Sequence, residues 1–466
     1  MMSKFWREWR FPVEFALLLA LAFFLPLREA PKNIIWLAYV VTWFVNRVFA
    51  APGKRDFGGP WDRWDSLLLA WLATGYLAAL FAGIPTPEHN EWGGVNDLVR
   101  NLLLAWCVRR AGYTRAQALA VFGMLVASAA LGTLEALWNW KVAGIKRKLE
   151  LVSVGLVNHS AIYLVICLGL GFGGLPASWR AMPRWGAVLL ALALALVGVG
   201  AFIADSRAAA GVALLLTLLI GAALARGLSL GRRAWLLAGV VLLTGLTVGG
   251  VSGLTRHFDM APGNTLTERD LIWNRALVAV RAHPWFGVGM DNFSRITDAR
   301  LKAWLAAEGR PYEPSAYTGA PHAHSLYVNT LTERGTAGLG VLLLVLGVWG
   351  HALWRHRPRA GNYVADAAGM ACWCAAFSGW LVTVAIGFVN TTLHHEHAML
   401  ALLTLTLWLP LRRPGATDVP DTPGTADTQD TPDTPGVQAR HTSPAPQMPQ
   451  APLPATVPQS PPVRQV

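Results

Sequence analysis

Charge is scarce in this sequence: only 14% of its 466 residues are Asp, Glu, Lys or Arg, whereas 54% are hydrophobic. The mean hydropathy is therefore positive, at +0.39. A soluble protein of this length needs more charge to cover its surface, so the composition excludes an ordinary soluble globular protein. The apolar residues instead form repeated runs of about 20 residues, the length that a helix needs to cross a bilayer core.

Cysteine is scarce as well, with only four residues, all inside apolar segments: Cys107, Cys167, Cys372 and Cys374. Their spacing predicts neither a disulfide framework nor a zinc site, and we interpret them as small buried hydrophobic side chains. The net charge of +12 could suggest nucleic-acid binding. The basic residues separate the apolar runs instead of forming one stripe, which argues against nucleic acid as a partner.

Twelve segments are candidate transmembrane helices, because backbone groups in lipid must be paired within the chain. The first contains Glu14 and is followed by charged residues instead of a small-residue cleavage site, so we interpret it as a retained helix and not a signal peptide. The fourth is the weakest, because Asp97 and Arg100 interrupt it. The segments are 11–27, 33–50, 64–84, 95–110, 115–138, 158–175, 185–204, 207–226, 233–252, 325–354, 363–390 and 395–411.

The distribution of Lys and Arg predicts the orientation of these helices. The N-terminus and every second loop carry twenty basic residues: Lys4, Arg7, Arg10, Arg47, Lys54, Arg55, Arg63, Arg109, Arg110, Arg115, Arg180, Arg184, Arg226, Arg232, Arg233, Arg355, Arg357, Arg359, Arg412 and Arg413. The opposite short loops and helix ends carry seven: Arg28, Lys32, Lys141, Lys146, Arg147, Lys148 and Arg207. Both termini are therefore expected in the cytoplasm.

Four regions follow from this pattern. Residues 1–252 hold the first nine helices, 253–324 form a large loop on the non-cytoplasmic side, and 325–411 hold the last three helices. From residue 412 to 466 the chain is rich in Pro, Thr, Asp and Gln, a composition that cannot bury enough apolar surface to fold, so we expect a disordered cytoplasmic tail.

The long loop is the expected place of the chemistry, since long loops in compact proteins are usually functional. Within it, residues 267–282 have helical character, and Arg281 to Gly289 is typical of a turn that closes such a helix. The loop contains many basic residues and four histidines: Arg256, His257, Arg269, Arg275, Arg281, His283, Arg295, Arg300, Lys302, Arg310, His322 and His324.

A motif at the start of the tenth segment resembles the O-antigen ligase family, which belongs to a superfamily with the O-antigen polymerases and O-linked oligosaccharyltransferases. The family pattern is His followed by Asn, Ser or Gln, then nine residues, Gly, two residues, and Gly, Thr or Tyr. This sequence has His324-Ser325, nine residues from Leu326 to Arg334, then Gly335, two residues and Gly338. The Arg-x-His-Pro-aromatic-x-Gly run at 281–287 and the run Asp205-Ser206-Arg207 resemble the same superfamily.

The resemblance implies an all-α polytopic membrane protein of about twelve helices, GT-C-like, with the large periplasmic loop between helices nine and ten. It implies transfer of polysaccharide from undecaprenyl pyrophosphate to a sugar hydroxyl of lipid A–core, in lipopolysaccharide biosynthesis. The expected partners are that lipid-linked donor, the lipid A–core acceptor and membrane lipid. The expected location is the bacterial inner membrane, with the active site on the periplasmic face.

The candidate site residues suit this chemistry. The pyrophosphate leaving group needs cations, and arginine binds phosphate oxygens through a planar fork. Arg207 and Arg275 are the candidate donor ligands, and the choice of Arg275 over Arg269 and Arg281 is what the resemblance implies. The acceptor hydroxyl needs a base, and a histidine such as His324 titrates in the right range. Arg281 and His322 are possible substrate contacts. With arginines for the pyrophosphate, no metal and no other cofactor is expected, and a single base favours direct displacement with inversion.

Other interpretations remain open at this point. A polymerase or a protein oligosaccharyltransferase would share the donor and differ in the acceptor. A transporter would carry ionisable residues near the bilayer midplane, and the segments 115–138, 185–204 and 233–252 have almost none. His322 with His324 is a weak metal signal, and the run from His394 to His397 lacks the His-Glu-x-x-His spacing, so we interpret it as an interfacial polar turn.

Overall fold

The computed structural model describes residues 4–50, 57–84, 90–204, 206–225, 268–358 and 366–411. The regular structure in these ranges is helical throughout. The thirteen α-helices are α1 (Lys4–Phe24), α2 (Glu29–Val48), α3 (Arg63–Leu80), α4 (Asn90–Arg110), α5 (Arg115–Leu137), α6 (Val157–Ala181), α7 (Arg184–Ile203), α8 (Arg207–Ala225), α9 (Arg269–Ala282), α10 (Asp298–Ala307), α11 (Leu326–Arg355), α12 (Ala367–Ile386) and α13 (His395–Leu411).

Six of the described helices are long and apolar enough to cross a membrane: α5, α6, α7, α8, α11 and α12. Helices α1 to α4 and α13 lie at the other positions expected from the sequence, and they are shorter in their apolar part or more polar. The chain is thus a multi-pass helical membrane protein, and the total of twelve spans stays a prediction. The expected ninth helix at 233–252 and the expected tail at 412–466 lie outside the described residues.

One end of the bundle, here called the loop end, carries the segment 268–324. The end of α3 reaches this segment through a hydrogen bond from the Gly83 amide to the Gly287 carbonyl at 3.2 Å. At the same end, Lys32 near the start of α2 forms a buried ion pair with Glu396 at the start of α13. The end of α3 and the starts of α2, α11 and α13 therefore lie at the loop end.

The opposite end collects arginines that the sequence assigned to the other face. Arg110 pairs with Asp65 at 2.5 Å, which ties the end of α4 to the start of α3. Arg115 pairs with Asp366 at 3.1 Å, which ties α5 to the start of α12. The grouping of basic residues by face agrees with the expected alternation of helices, and the compartment that each face meets stays a prediction.

Charges inside the more polar helices are paired, which explains how these helices fit in the bundle. Glu14 of α1 is buried and accepts hydrogen bonds from Arg47 Nη1 at 2.9 Å and Asn46 Nδ2 at 2.8 Å. In α4, Arg100 lies 3.6 Å from Asp97. A buried charge without a partner would be costly, so these pairs are a condition for packing such helices together.

The described part of the loop has a small core of its own. Ile272 and Ala279 of α9 pack with Leu301 and Leu305 of α10, and Ile84 from the end of α3 joins them. The loop helices are thus seated on the membrane helices through shared apolar side chains. The expected helix after residue 267 and the turn after it are confirmed, as α9 ends at Ala282.

The four cysteines are free and buried, as the sequence predicted.

Candidate functional site

Helix α11 is broken at Gly335, where φ is +64° and ψ is −168°. The turn that follows α9 fills this break with backbone hydrogen bonds. Val288 N donates to Thr332 O at 2.9 Å, and Thr336 N donates to Pro284 O at 2.8 Å. The backbone groups that the break removes from the helical pattern are paired with the turn, as burial requires.

Two glycines make this junction possible. A Cβ on Gly335 would lie 2.2 Å from Trp285 O, and a Cβ on Gly287, where φ is +72°, would lie 2.5 Å from Thr332 O. Only glycine combines these backbone angles with such a close approach. Gly335 of the ligase-like motif and Gly287 of the 281–287 run therefore lie on opposite sides of the same backbone contact.

Glu333 and Arg334, whose roles the sequence left open, stabilise the same region. Arg334 is buried, and its Nη2 donates to Trp71 O of α3 at 2.7 Å and to the Thr74 hydroxyl. Glu333 accepts a hydrogen bond from Asn329 Nδ2 at 2.9 Å. The Arg334 contacts fix the first turns of α11 against α3, and the Glu333 contact lies within α11.

His324 lies immediately before α11, half-buried, in a left-handed conformation with φ of +49°. The next residue of the motif, Ser325, is the N-cap of the helix: its Oγ accepts from Val328 N at 3.4 Å and donates to Gly387 O at 3.2 Å. A non-glycine residue in this conformation costs free energy and persists only where its surroundings hold it. The two hydrogen bonds of Ser325 stabilise the backbone next to His324 in this way.

The backbone between His322 and His324 is also held from both sides. Ala323 N donates to Asn329 Oδ1 at 3.0 Å, and Trp273 Nε1 of α9 donates to Ala323 O at 2.9 Å. The two imidazole rings lie 4.3 Å apart between centroids. The sequence did not suggest Trp273 or Asn329, because neither belongs to the motif.

The loop end contains a larger histidine cluster than the sequence indicated. His159, in the first turn of α6, lies 6.3 Å from His322, 6.4 Å from His394, 5.5 Å from His395 and 5.0 Å from His397 between ring centroids. The expected polar turn at 394–397 thus lies beside the candidate base. His159 could not be found from the sequence, since it sits in an apolar segment far from the others along the chain.

Despite this cluster, the described residues contain no group of three or more His, Cys, Asp or Glu side chains arranged to hold a metal ion.

Two arginines contribute to the electrostatics around the candidate base. Burial lowers the pKa of Arg269, at the start of α9, and the charge of Arg207, at the start of α8, lowers it further. Burial also lowers the pKa of His324, and the charge of Arg269 adds to the effect. The charge of Arg207 therefore acts on Arg269, and the charge of Arg269 acts on His324, although the three residues come from three different elements. Asp205, from the run that precedes Arg207, lies outside the described residues.

Arg275 and Arg281 have partners within the loop. Arg275 is buried; its Nη1 donates to Ile296 O at 2.5 Å and its Nη2 donates to Asp298. Arg281 is exposed, and its Nε lies 3.2 Å from Glu308 Oε2. The sequence did not single out Arg269, which shares α9 with both.

His322 has a strongly perturbed imidazole. Burial lowers its pKa to about 4, and the neighbouring His324 and His395 contribute. The pKa of His394 is lowered to about 3, first by burial and then by His395 and His159. At neutral pH these rings are therefore uncharged, so they can accept hydrogen bonds without adding positive charge to the site.

The comparisons with known proteins agree with the motifs. The O-antigen ligase family model matches residues 191–343, a region that contains Arg207, Arg269, His324 and the break at Gly335. No curated protein gives a significant match to the chain. The resemblance seen in the sequence is thus confirmed for this region: residues 191–343 of this multi-pass membrane protein match an O-antigen ligase domain, consistent with the O-antigen ligase and polymerase superfamily.

Proposed function

We propose that this protein is an O-antigen ligase, which transfers polysaccharide from undecaprenyl pyrophosphate to a sugar hydroxyl of lipid A–core on the periplasmic side of the inner membrane. The observation that carries the proposal is the group of Arg207, Arg269 and His324 at the loop end. Two cations and one uncharged base, at the mouth of membrane-spanning helices, suit a donor with an anionic leaving group and a lipid tail.

The donor pyrophosphate is assigned to Arg207 and Arg269. Burial lowers the pKa of Arg269, and the charge of Arg207 lowers it further. An anion between two guanidinium groups relieves such repulsion, and arginine binds phosphate oxygens bidentately. Within the described residues, no carboxylate pairs with Arg269. The second phosphate contact, expected at Arg275 from the sequence, is therefore proposed at Arg269.

Arg275 then has a supporting role, because its guanidinium is bonded to Asp298 and Ile296 and fixes the loop. His322, beside His324, is proposed to contact the acceptor sugar. Arg281, exposed on the loop surface, is proposed to contact the glycan of the donor.

His324 is proposed as the general base. Its lowered pKa keeps the imidazole unprotonated at neutral pH, so it can take the proton of the acceptor hydroxyl. The acceptor oxygen forms the new bond to the anomeric carbon as the bond from that carbon to the phosphate oxygen breaks. The electron pair leaves on undecaprenyl pyrophosphate, where the arginines stabilise the added negative charge. One displacement inverts the anomeric centre and uses no metal.

The base is tested by complementing a ligase-deficient strain with His324→Ala. We expect complete loss of polysaccharide-bearing lipopolysaccharide bands, with the protein inserted at the wild-type level. His351→Ala is the matched control, since His351 is exposed towards the far end of the same helix and should leave the bands unchanged. Normal bands with His324→Ala would contradict the assignment.

The donor site is tested by binding of undecaprenyl-pyrophosphate glycan to purified variants. Arg207→Ala and Arg269→Ala should each weaken binding about tenfold or more, the size expected for a lost charge-assisted contact. Arg310→Ala, an exposed loop arginine paired with Glu308, is the control. Unchanged binding by Arg269→Ala together with lost binding by a well-folded Arg275→Lys would return the contact to Arg275.

The same complementation separates the related activities, because the superfamily match covers both ligases and polymerases. Accumulated un-ligated glycan in the deletion strain supports the ligase. A single-repeat cap on lipopolysaccharide would indicate a polymerase, and unglycosylated pilin would indicate a protein oligosaccharyltransferase.

A further inference from the structure

The segment between α5 and α6, here called the α5–α6 segment (residues 138–156), carries an unusual charge for its place. Outside the long loop, the short loops and helix ends on the non-cytoplasmic side carry seven basic residues, and four of them are in this segment: Lys141, Lys146, Arg147 and Lys148. Glu150 is its only acidic residue. Short loops on that side of a membrane protein normally contain few cations. Within the segment Lys146 pairs with Glu150 at 2.9 Å, and the concentration of cations around this one carboxylate favours contact with further anionic groups.

The tip of the α5–α6 segment is both basic and apolar. All residues from 141 to 148 are exposed, and among them Val142 and Ile145 are 63% and 70% exposed. Lys141 Nζ lies 3.6 Å from the centroid of the Trp140 ring. Exposed apolar side chains that alternate with cations are typical of an element at the level of lipid headgroups.

The C-terminal part of the α5–α6 segment is hydrogen-bonded to the loop end. Ser153 N donates to Pro26 O at 3.2 Å, and Ser153 Oγ accepts from Lys32 Nζ at 3.1 Å. Lys32 in turn pairs with Glu396, which is next to His395 of the histidine cluster. The basic tip is thus connected by two polar contacts to the end of the bundle that holds His324.

An apolar groove begins directly beside this segment. It is lined by Phe23, Phe24 and Leu27 of the α1 end and by Leu131 of α5, with Arg28 and Glu135 at its polar end. Arg28 pairs with Glu135 at 2.8 Å, and both side chains are partly exposed. Leu27 follows the end of α1, and Leu131 is in α5. The α5–α6 segment contacts the neighbouring residue Pro26 through the Ser153 amide. An acyl chain in the groove would place its headgroup at the cations of the segment.

We propose that the groove between α1 and α5, together with the basic α5–α6 segment, binds the phosphorylated, multiply acylated saccharide anchor of the acceptor lipid. This inference rests on the proposed function for the identity of the acceptor. The occupant is a phosphorylated glycolipid because the site combines an apolar groove with several cations at the end that holds the candidate base. The segment therefore acts in acceptor capture, apart from the arginines assigned to the donor.

The binding test uses the full-length protein in nanodiscs of a zwitterionic lipid, with lipid A as the probe. Wild type should bind lipid A more tightly than the double variant Lys141→Ala with Arg147→Ala, by roughly tenfold from the loss of two interfacial cations. The variant Leu131→Trp fills the groove at a side chain that is 48% exposed, and it should weaken binding without unfolding the protein.

A matched control removes two cations at the other end of the bundle. Arg355→Ala with Arg357→Ala also deletes one cation that lies over a tryptophan, since the Arg357 guanidinium lies 4.1 Å from the Trp354 ring. This variant should bind lipid A as wild type does. Equal binding by the Lys141 and Arg147 double variant overturns the inference. Equal affinity of wild type for dephosphorylated lipid A or for phosphatidylglycerol overturns the assignment to the acceptor anchor.

A transfer assay separates this inference from the proposed function. With lipid A–core as acceptor, the double variant should raise the KM for the acceptor roughly tenfold and leave kcat and the donor KM unchanged. A wild-type enzyme that transfers glycan while the double variant keeps its acceptor KM would overturn the acceptor site alone. Absence of transfer by wild type, with lipid A binding intact, would overturn the proposed function.

Discussion

The role proposed for His324 depends on its neighbours. The backbone before it is held by Trp273 and Asn329, its own conformation is left-handed, and the serine after it caps α11. Burial and the charge of Arg269 lower its pKa. A base must be unprotonated to act, so a lowered pKa extends its working range towards acidic pH.

Removing the Arg269 charge should narrow that range. In Arg269→Gln, the pKa of His324 should rise towards the ordinary value of about 6.5, so the acidic limb of the pH–rate profile moves to higher pH. The residual transfer rate of the variant, normalised to its own maximum, is measured between pH 4 and 8. Arg310→Gln serves as the control, because Arg310 pairs with Glu308 on the loop surface. An acidic limb at the wild-type position in Arg269→Gln would show that this charge does not tune the base.

At this scale the sequence located some residues and missed others for a geometric reason. The motif identified His324, and its position at the start of the tenth segment is confirmed. The choice among arginines of α9 was harder: Arg269 and Arg275 are six residues apart, and at about 100° per residue they point to different sides of the helix. The spacing shows that the two side chains leave the helix in different directions. It does not show which of them faces the candidate site. The structure places Arg275 in the loop core and Arg269 near His324.

Among the elements, the junction of the α9 turn with α11 is the one that a single methyl group should disrupt. In Gly335→Ala the new Cβ would lie 2.2 Å from Trp285 O, and the backbone at that position would have a strained φ of +64°. Strain of this kind costs about 1–3 kcal/mol, and the clash adds to it. We expect a lower melting temperature in detergent and faster hydrogen exchange in the turn at 284–289.

Gly347→Ala is the control on the same helix, because nothing lies within 4 Å of the Cβ position at Gly347. Alanine is favoured over glycine in a helix, so this variant should be as stable as wild type or slightly more stable. If Gly335→Ala kept both the melting temperature and the protection of the turn, the junction would not be needed for the fold.

The sequence predicted helices well where a long apolar run marks them. It predicted them less well where a helix depends on charged side chains that pair with other parts of the chain. Helices α5 to α8 follow from long apolar runs. Helix α4 was the weakest expectation because of Asp97 and Arg100, and it forms over Asn90–Arg110, where Arg100 lies near Asp97 and donates to Asn33 at 3.2 Å. The break in α11 could not be foreseen, since a glycine in an apolar segment is compatible with a continuous helix until a partner fills the gap.

For the molecule as a whole, the expected orientation can be tested with introduced cysteines. All four native cysteines are buried, so the background reaction with a membrane-impermeant maleimide should be low. Arg310→Cys and Arg357→Cys place new thiols at exposed positions, one on the loop and one just after α11. With α11 crossing the membrane between them, intact spheroplasts should label only the thiol at 310, and permeabilised cells should label both.

Labelling of the thiol at 357 alone in intact spheroplasts would invert the orientation and move the proposed site to the cytoplasmic face. Equal labelling of both would contradict a membrane-spanning α11. The physical basis of the expectation is the excess of Lys and Arg on one face, together with the meeting of Arg110 and Arg115 with their partners at the end opposite the loop.

The junction at Gly335 also has a consequence for how such proteins diversify. Its contacts run between backbone atoms, from Val288, Gly289, Thr336 and Ala337 to their carbonyl partners, and depend on side chains only through the absence of a Cβ at two glycines. Trp285 beside it is 70% exposed. Exposed side chains of the turn can therefore be substituted to suit a different glycan without changing the backbone contacts that attach the loop.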